Sequence, residues 1–527
     1  MVLKLSVRRW FGVSALMLKK ESWLRLVLVS GVALVSSSSF AADEAAMRRL
    51  AEAQQLYEAK QYFKAARYAF AAIDENPARR PEAHAWVTLS LIKAGLEQSA
   101  SYFFIQTLMS GERAAIRRVL PSSERMLWAV GPDLLNPYLL KYTTADDYDP
   151  KSRAAFLYVA ARDALLVGDE KKALGFLTNI PKDSRSAAEL FQLRAAVHSS
   201  GGNLDAAFSD FEACEKAAAS VDSSGRKQED LKNRCIAGQA RVLYEKEKFD
   251  VADRVYDRVS KNSIVWTEIL FEQAWNSFRR NEFNRSLGKL VSYKSPALSF
   301  VFNPEVEVLR AQSFLALCLY PDADRVADEF NKTYAEIGQQ VKDLLEKNRQ
   351  KLSALYDAGK LASAQPLTSS KPLNRLMNRF VRSPSFARWI QSERDLTAEL
   401  QSIRSFSSSQ PSVALERGKG FPDFLNEVLN FRLKAIRALG GAFVKNSLLD
   451  YHSELISNYE KMSFIKLEML RRFKEKLMTR RSIDEERAKG NVIPSRRDDQ
   501  FYWSFNGEFW NDELGDYVFG LESDCHG

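Results

Sequence analysis

The side chains that could hold a metal are few: His84, His198, His452 and His526, with Cys214, Cys235, Cys318 and Cys525. Structural zinc sites bring such ligands together from short, recurring spacings. No histidine here stands at ligand spacing from another or from a cysteine pair, apart from the adjacent Cys525 and His526, and a neighbouring pair is not a zinc site. The chain also has no glycine-rich phosphate loop, no G-x-S-x-G elbow and no H-E-x-x-H helix. Gly201-Gly202 reads as a turn between helices, where positive φ is wanted. No cofactor, metal or catalytic residue is expected. What remains is a cluster of carboxylates among aromatic rings, Glu508, Asp512 and Glu513. Buried with a raised pKa, one of them could serve as the general acid on a sugar bond. Beside a basic helix they would balance its charge instead, and that is the role expected of them.

These groups belong to a chain of 527 residues, 46% apolar and 11% aromatic, a composition that folds. Only 23 glycines and 16 prolines interrupt it and β-branched runs are few, so helices are favoured over sheet. The length calls for more than one core, unless the chain grows by stacking repeats. The net charge of +9 is unevenly placed. Residues 1–41 hold Lys4, Arg8, Arg9, Lys19, Lys20 and Arg25 against Glu21, which is +5, leaving +9 − 5 = +4 for the rest. So dilute a charge does not point to nucleic acid or to an anionic membrane.

The early charge has another use. Lys19 to Arg25 is a basic stretch, Leu26 to Val35 is apolar, and Ser39-Phe40-Ala41 offers small residues to signal peptidase. Together they read as a secretory signal too short to span a bilayer, with cleavage after Ala41. The start is Met1 or Met17, and the second gives a signal of ordinary length. Export to an oxidising compartment favours disulfides, and four cysteines allow three pairings. Cys214 and Cys235 fall on neighbouring helices; Cys318 and Cys525 would then tie the tail back onto the body.

The helices recur with one layout: a turn, an aromatic or apolar residue, a small residue, then bulky ones at helical spacing. The first unit has Tyr62, Ala65, Ala72 and Pro77, the second Gly95, Ala100, Phe104 and Leu108, the third Gly168, Ala173, Leu177 and Ile180. The fourth has Gly202, Leu204, Ala207 and Phe211, and the fifth Phe249, Ala252, Tyr256 and Val259. The sixth has Phe283, Ser286 and Leu290, and the seventh Tyr320, Ala323 and Ala327. The small residue steps by 35 from Ala65 to Ala100, by 34 from Ala173 to Ala207 and by 34 from Ala252 to Ser286. Longer steps read as loop insertions, such as Ser220–Asp230.

This period and these small residues resemble the tetratricopeptide repeat (TPR) superfamily, over residues 45–335. One helix pair cannot bury both of its apolar faces, so pairs would stack through the small residues. The resemblance implies a partner-binding face lined by the first helices. Counting back from the anchors puts Arg162, Gln192, Arg241, Tyr244, Trp275, Phe278 and Arg279 there. Arginines and aromatics are what interface hot spots favour. Trp275 and Phe278 fit equally well as core between pairs.

Beyond residue 335 the period is lost. Ile337, Val341, Leu344, Leu352 and Leu355 make one apolar stripe, while Ser363–Lys371 and Ser405–Ser412 read as loops. Phe424, Val428, Phe431, Ala435 and Ala438 begin another stripe that resumes after Gly440-Gly441 at Leu448, Leu455, Tyr459 and Met462. The spacing predicts one long helix, or two in series meeting at the glycines, within a bundle or coiled coil that offers a surface for oligomerisation. Residues 461–497 hold twelve Lys/Arg and five Asp/Glu, and residues 498–527 hold eight Asp/Glu and no Lys/Arg. The acidic end carries Tyr502, Trp503, Phe505, Phe509, Trp510 and Tyr517, an unusual density of rings for a disordered tail. It is expected to dock on the helical body, with a hairpin turn at Asn506-Gly507. The tail and the segment from Trp266 to Tyr320 resemble periplasmic TPR proteins of deltaproteobacteria, some linked to gliding-motility machinery.

The expected fold is all-α. A signal peptide covers 1–41, a TPR-like α-solenoid of about seven helix pairs covers 42–335, a helical bundle or coiled coil covers 336–490 and an acidic aromatic tail covers 491–527. The expected function is a periplasmic scaffold for protein–protein interaction in a cell-envelope assembly. It would have no enzyme activity, no nucleic-acid partner and no membrane span after signal removal. The alternative is a peptidoglycan-acting enzyme, similar to a lytic transglycosylase, with a helical superstructure.

Overall fold

One kind of turn closes seven helix pairs. In the computed structural model, which describes residues 38–525 apart from 151, 179, 181–185, 221–225, 366–371, 410–419 and 481–506, helix α1 (Ser38–Glu58) gives way to α2 (Tyr62–Ile73) through Lys60, at φ 60. The Lys60 amide donates to the Tyr57 carbonyl and the Gln61 amide to the Leu56 carbonyl, a Schellman closure of the helix end. Gly95 closes α3 (Arg80–Lys93) before α4 (Glu97–Met109) in the same way. Three further helices, α5 (Arg113–Val119), α6 (Ser123–Val130) and α7 (Pro132–Tyr142), then intervene. Gly168 closes α8 (Arg153–Leu166) before α9 (Glu170–Phe176), and Gly202 closes α10 (Ala187–Ser200) before α11 (Leu204–Ser220). Glu247 joins α12 (Arg226–Glu245) to α13 (Phe249–Tyr256), and Asn281 joins α14 (Ile264–Arg279) to α15 (Phe283–Val291). Cys318 joins α16 (Glu305–Ala316) to α17 (Tyr320–Lys347).

Five residues beyond each left-handed residue stands a small one: Ala65, Ala100, Ala173, Ala207, Ala252, Ser286 and Ala323. All are buried. Each donates its amide to the carbonyl four residues back, the residue that follows the turn. The turn therefore sets the phase of the second helix, and the phase puts the small side chain where backbones approach. These are tandem TPR-like helix pairs.

Some segments depart from expectation. The step from Gly95 to Gly168 is filled by helices α5 to α7 rather than by a loop. Residues 226–230 are helical, because α12 opens at Arg226. Helices α18 (Leu352–Ala364), α19 (Pro372–Val381) and α20 (Pro384–Ser409) take in Ser363, Ala364 and residues 405–409 of the segments read as loops. The remainder of those loops, at 366–371 and 410–412, lies outside the described residues. Helix α21 (Phe421–Arg480), by contrast, is the single long helix that is one of the two arrangements expected, 60 residues running unbroken through Gly440 and Gly441. The apolar run of the signal, His526, residues 481–506 and, with them, Tyr502, Trp503, Phe505 and Asn506 also lie outside. No strand forms among the described residues, so nothing after Gly507 continues as a hairpin.

The chain divides into two compact units, each built from separate stretches of sequence. One takes Lys4–Val197 with Ala387–Leu439, so residues 336–490 are shared between the two. In this unit Phe63 stacks on Phe406 at 4.7 Å, and Phe70 lies 4.8 Å from Phe421 and 5.1 Å from Phe424. Glu399 of α20 reaches the start of α4, accepting from the Gln98 amide at 2.6 Å, the Ser99 amide at 2.9 Å and the Ser99 hydroxyl at 2.8 Å. Unpaired amides at a helix start attract a carboxylate. Burial nevertheless pushes Glu399 up to about 7, against those hydrogen bonds. Arg432 of α21 donates to the Gln98 carbonyl at 2.8 Å and to the Ser101 hydroxyl. Burial pulls its guanidinium down to about 10, with Glu399 opposing.

The other unit takes His198–Phe386 with Gly440–Gly527. Here the two glycines of α21 cross α18. A Cβ on Gly440 would lie 2.5 Å from the Tyr356 ring, and one on Gly441 would overlap the Leu352 carbonyl. The glycines are a crossing point between helices, which explains why the helix runs through them. Further along α21, Tyr459 meets Phe330 at 4.8 Å, Lys461 pairs with Glu305 at 2.8 Å, and Lys466 pairs with Asp324 and Asp328 at 3.2 and 3.3 Å. These lysines thus find their acids on α16 and α17. A disulfide joins Cys214 of α11 to Cys235 of α12 with both residues buried, and a second joins Cys318 to Cys525.

Candidate partner-binding surface

Five of the seven expected surface residues lie on two successive first helices, α12 and α14. Arg241 on α12 faces Glu272 on α14, with Nε at 2.8 Å from Oε2 and Nη2 at 2.7 Å from Oε1. The Tyr256 hydroxyl donates to the same carboxylate at 2.9 Å. Burial works against the Arg241 charge, but Glu272 outweighs it and holds the guanidinium above its ordinary value. Burial, and then the Glu272 charge, pushes the Tyr256 phenol well up. A planar guanidinium held by two bonds has little freedom left to lose.

One turn on, Tyr244 meets Phe249 edge-on at 5.3 Å. The Arg279 guanidinium lies 5.0 Å from the Phe249 ring centre and 6.0 Å from that of Tyr244, and bonds to Glu247 at 3.0 Å. Trp275 and Phe278 follow at 5.5 Å from each other, with Phe271 and Phe283 at either end. Both rings are partly exposed, and both pack against Ala274, Leu290, Val306 and Leu309. They seal the contact between pairs and show an edge to solvent. The result is a row of aromatic edges and guanidinium planes, each fixed by a neighbour, on one side of α12 and α14. Arg162 on α8 and Gln192 on α10 are partly exposed and belong to the other compact unit.

Phe249 and the buried Tyr256 read from the sequence only as residues of the fifth repeat unit, and Glu272 and Glu247 complete this surface without having been singled out there. Their signal is the repeat itself: Arg241 and Glu272 are 31 residues apart, and Glu247 and Arg279 are 32 apart, close to one period.

The residues considered for catalysis are elsewhere. Glu508, Asp512 and Glu513 are exposed, whereas a general acid of raised pKa needs burial. Asp516, farther along the tail, pairs with Lys261 at 3.0 Å. His84 is buried in α3, and burial, then Arg80, pulls it down to about 4, so it is neutral near pH 7. Among the described residues no group of three or more His, Cys, Asp or Glu is placed to hold a metal, and no helix is long and apolar enough to cross a membrane.

No protein family matches the chain, and no curated protein does. Among solved structures, it is similar to the crystal structure of the P58(IPK) TPR domain, at 15% identity over 74% of this chain and 99% of that one, with a TM-score of 0.18. That score carries no weight for the fold, which rests on the seven turns and their seam.

Proposed function

We propose that the chain is a periplasmic scaffold that grips a protein partner across the first helices of its TPR-like pairs, within a cell-envelope assembly. The row from Arg241 to Arg279 carries the reading. Its side chains are already held by ion pairs and ring contacts, so binding costs them little freedom, and their chemistry is that of interface hot spots. The partner would be an extended segment or helix that offers apolar side chains to Trp275 and Phe278 and a carboxylate to Arg279. Arg162 stands eleven residues before its anchor, as Arg241 and Trp275 do, and Gln192 stands fifteen before its own, about one helical turn earlier on its first helix. Two disulfides and a leader of basic, apolar and small residues support export. Kinship with the periplasmic TPR proteins linked to gliding motility belongs to the same proposal, as does the absence of enzyme activity.

A photo-crosslinking side chain at Tyr244 or Trp275 is expected to capture one and the same envelope protein, and Arg279→Glu to abolish the capture. Unrelated adducts at the two positions, or capture indifferent to Arg279→Glu, would end the reading. Clearing of peptidoglycan by the purified chain on a zymogram would revive the enzyme in its place.

Self-association is a second part of the proposal. Leu449, Ile456, Phe464 and Leu467 lie along one side of α21, with Phe464 72% and Leu467 63% exposed. The steps between them, of seven, eight and three residues, match the period of a helix seam, and a second copy presents the same period. Light scattering should find a dimer that Phe464→Glu dissociates. A monomer at micromolar concentration would remove this part alone.

A further inference from the structure

Residues 515–521 of the tail run along α15, held largely through their main chain. Asn284, Gly288 and Ser292 stand four residues apart along α15 and just past its end, and each engages the tail's main chain. The Asn284 side chain donates to the Leu521 carbonyl at 2.9 Å and accepts the Leu521 amide at 3.2 Å, so one amide reads both polar groups of one residue. The Phe519 amide donates to the Asn284 carbonyl at 3.0 Å. Gly288 leaves room for the tail's backbone: a Cβ there would overlap the Tyr517 carbonyl and stand 2.8 Å from the Val518 nitrogen. The Gly515 amide donates to the Ser292 hydroxyl at 2.9 Å.

The most deeply placed side-chain contacts come from one short stretch, with Phe509 and Tyr517 packed at the edge of the same cluster. Leu514 is buried in the cluster that holds Trp266 and Leu270. Gly515 has φ 91, and a Cβ there would crowd the same two side chains at 3.1 and 3.2 Å. Asp516 pairs with Lys261. Trp266 precedes Trp275 by nine residues, half a turn round α14, so this site faces away from the proposed partner surface.

We infer that the stripe Asn284–Gly288–Ser292, with Trp266, Leu270 and Lys261, is a peptide-binding site whose resident ligand is the chain's own tail, tethered by the Cys318–Cys525 bridge. Main-chain contacts give affinity, and the Leu514-Gly515-Asp516 stretch gives specificity, as in other modes that recognise extended peptides. A partner fitting the site is an extended peptide with an apolar residue, a glycine and an acid in succession. The tail's binding is intramolecular already; the bridge pins its far end, raises its effective concentration at the site and so keeps such a peptide out.

The test uses the full chain with Cys318→Ser and Cys525→Ser, and with Leu514→Asp and Gly515→Val to release the tail while leaving the site intact. A fluorescent synthetic peptide of residues 512–524 is the probe, read by anisotropy. It should bind the released chain and fail to bind the bridged wild type. Asn284→Ala, added to the released chain, should weaken it at least tenfold while the melting curve stays put. A released chain that melts normally and binds no peptide would overturn the inference. So would binding that ignores Asn284→Ala, or equal binding to the bridged protein. Hydrogen exchange in the wild type adds a check on the cis contact, because the amides of Gly515, Phe519 and Leu521 should be protected. Failure here leaves the first-helix surface untouched, since none of these substitutions alters it.

Discussion

The helix pairs and the returning C-terminal chain are held by different kinds of contact. In the pairs, fixed points are local or one repeat away. Each turn is closed within six residues, and polar contacts between pairs span about one period: 36 residues for Asp43 and Arg79, 33 for Asp230 and Ser263, 31 for Arg241 and Glu272. The returning chain is held across 300 residues at Glu399 and Ser99, 334 at Arg432 and Gln98, and 207 at Cys318 and Cys525. Closing a long loop costs entropy that a local turn does not. The seam should therefore carry the stability of the fold, and the long-range contacts should place segments on a body that stands without them.

The sharpest way to break that contrast is one substitution on each side. Ala252→Glu puts a carboxylate into the seam of the fifth pair, where the native side chain is wholly buried. A loss of at least about 4 kcal/mol in urea unfolding is expected, the scale of an unpaired buried charge. A loss below about 1 kcal/mol would move the seam elsewhere. Gly441→Ala is the counterpart on α21. The atom it adds runs into backbone, the Leu352 carbonyl, so α18 and α21 must part. A loss of about 3 kcal/mol is expected, although alanine favours a helix over glycine by about 1 kcal/mol. A stabilised variant would mean that the two helices are free to separate.

The two disulfides sharpen the comparison. Loop-closure entropy in an unfolded chain assigns about 3 kcal/mol to a 21-residue separation and about 5 to one of 207. Sequence separation alone would make the second bridge the stronger. Yet with α21 folded, the bridge closes only the shorter separation from Arg480 to Cys525, which already accounts for about 4 kcal/mol of the 5. Cys214→Ala with Cys235→Ala should thus cost about 3 kcal/mol of global stability, and Cys318→Ser with Cys525→Ser about 1. The second pair should instead speed amide exchange in residues 513–524. Equal losses in urea melts would show the tail to be part of the cooperative body.

The same division decides what is legible in the sequence. Seven anchors are visible because the period repeats, and the turn before each is visible wherever it is glycine, as at Gly95, Gly168 and Gly202. At Lys60, Glu247 and Cys318 the left-handed residue has no composition signal, at Asn281 only the weaker one of asparagine, and the offset of five to the anchor is what betrays them. The placement of Arg241, Tyr244, Trp275, Phe278 and Arg279 on adjacent helices follows from register alone. Gly440-Gly441 leaves a break open in the sequence because glycine weakens an isolated helix; its actual role depends on α18, which periodicity cannot bring to that point. Glu399 is beyond sequence reasoning. Nothing near residue 399 says that a helix start three hundred positions earlier will supply its hydrogen bonds.

Glu399 gives the returning chain a pH dependence near neutrality. Its pKa in the fold, about 7, exceeds the ordinary 4.5 of a glutamate. A raised folded-state value means that the contribution is fully present below about pH 4.5 and is lost as pH rises through 7. Glu97 beside it adds repulsion, and Arg432 opposes it. Between pH 5 and pH 8 the wild type should lose about 2 kcal/mol relative to Glu399→Gln. Parallel stability curves for the two proteins would show that the carboxylate does not titrate in this range.

The smallest expected effect tests the turns themselves. Lys60 holds φ 60, a conformation that costs a residue with a Cβ roughly 1 kcal/mol and costs glycine almost nothing. Glycine also gives the unfolded chain more freedom, which takes back part of that gain. Lys60→Gly should therefore stabilise by about 0.5 kcal/mol, where the same exchange inside a helix would destabilise by up to about 1. The sign is the test, read as a shift of urea midpoint at unchanged slope. Glu247→Gly should move the same way, because its turn has the same two hydrogen bonds and the same offset to its anchor. If the two variants moved in opposite directions, the seven turns would not be one device repeated, and the phase of each second helix would have to be set by packing alone.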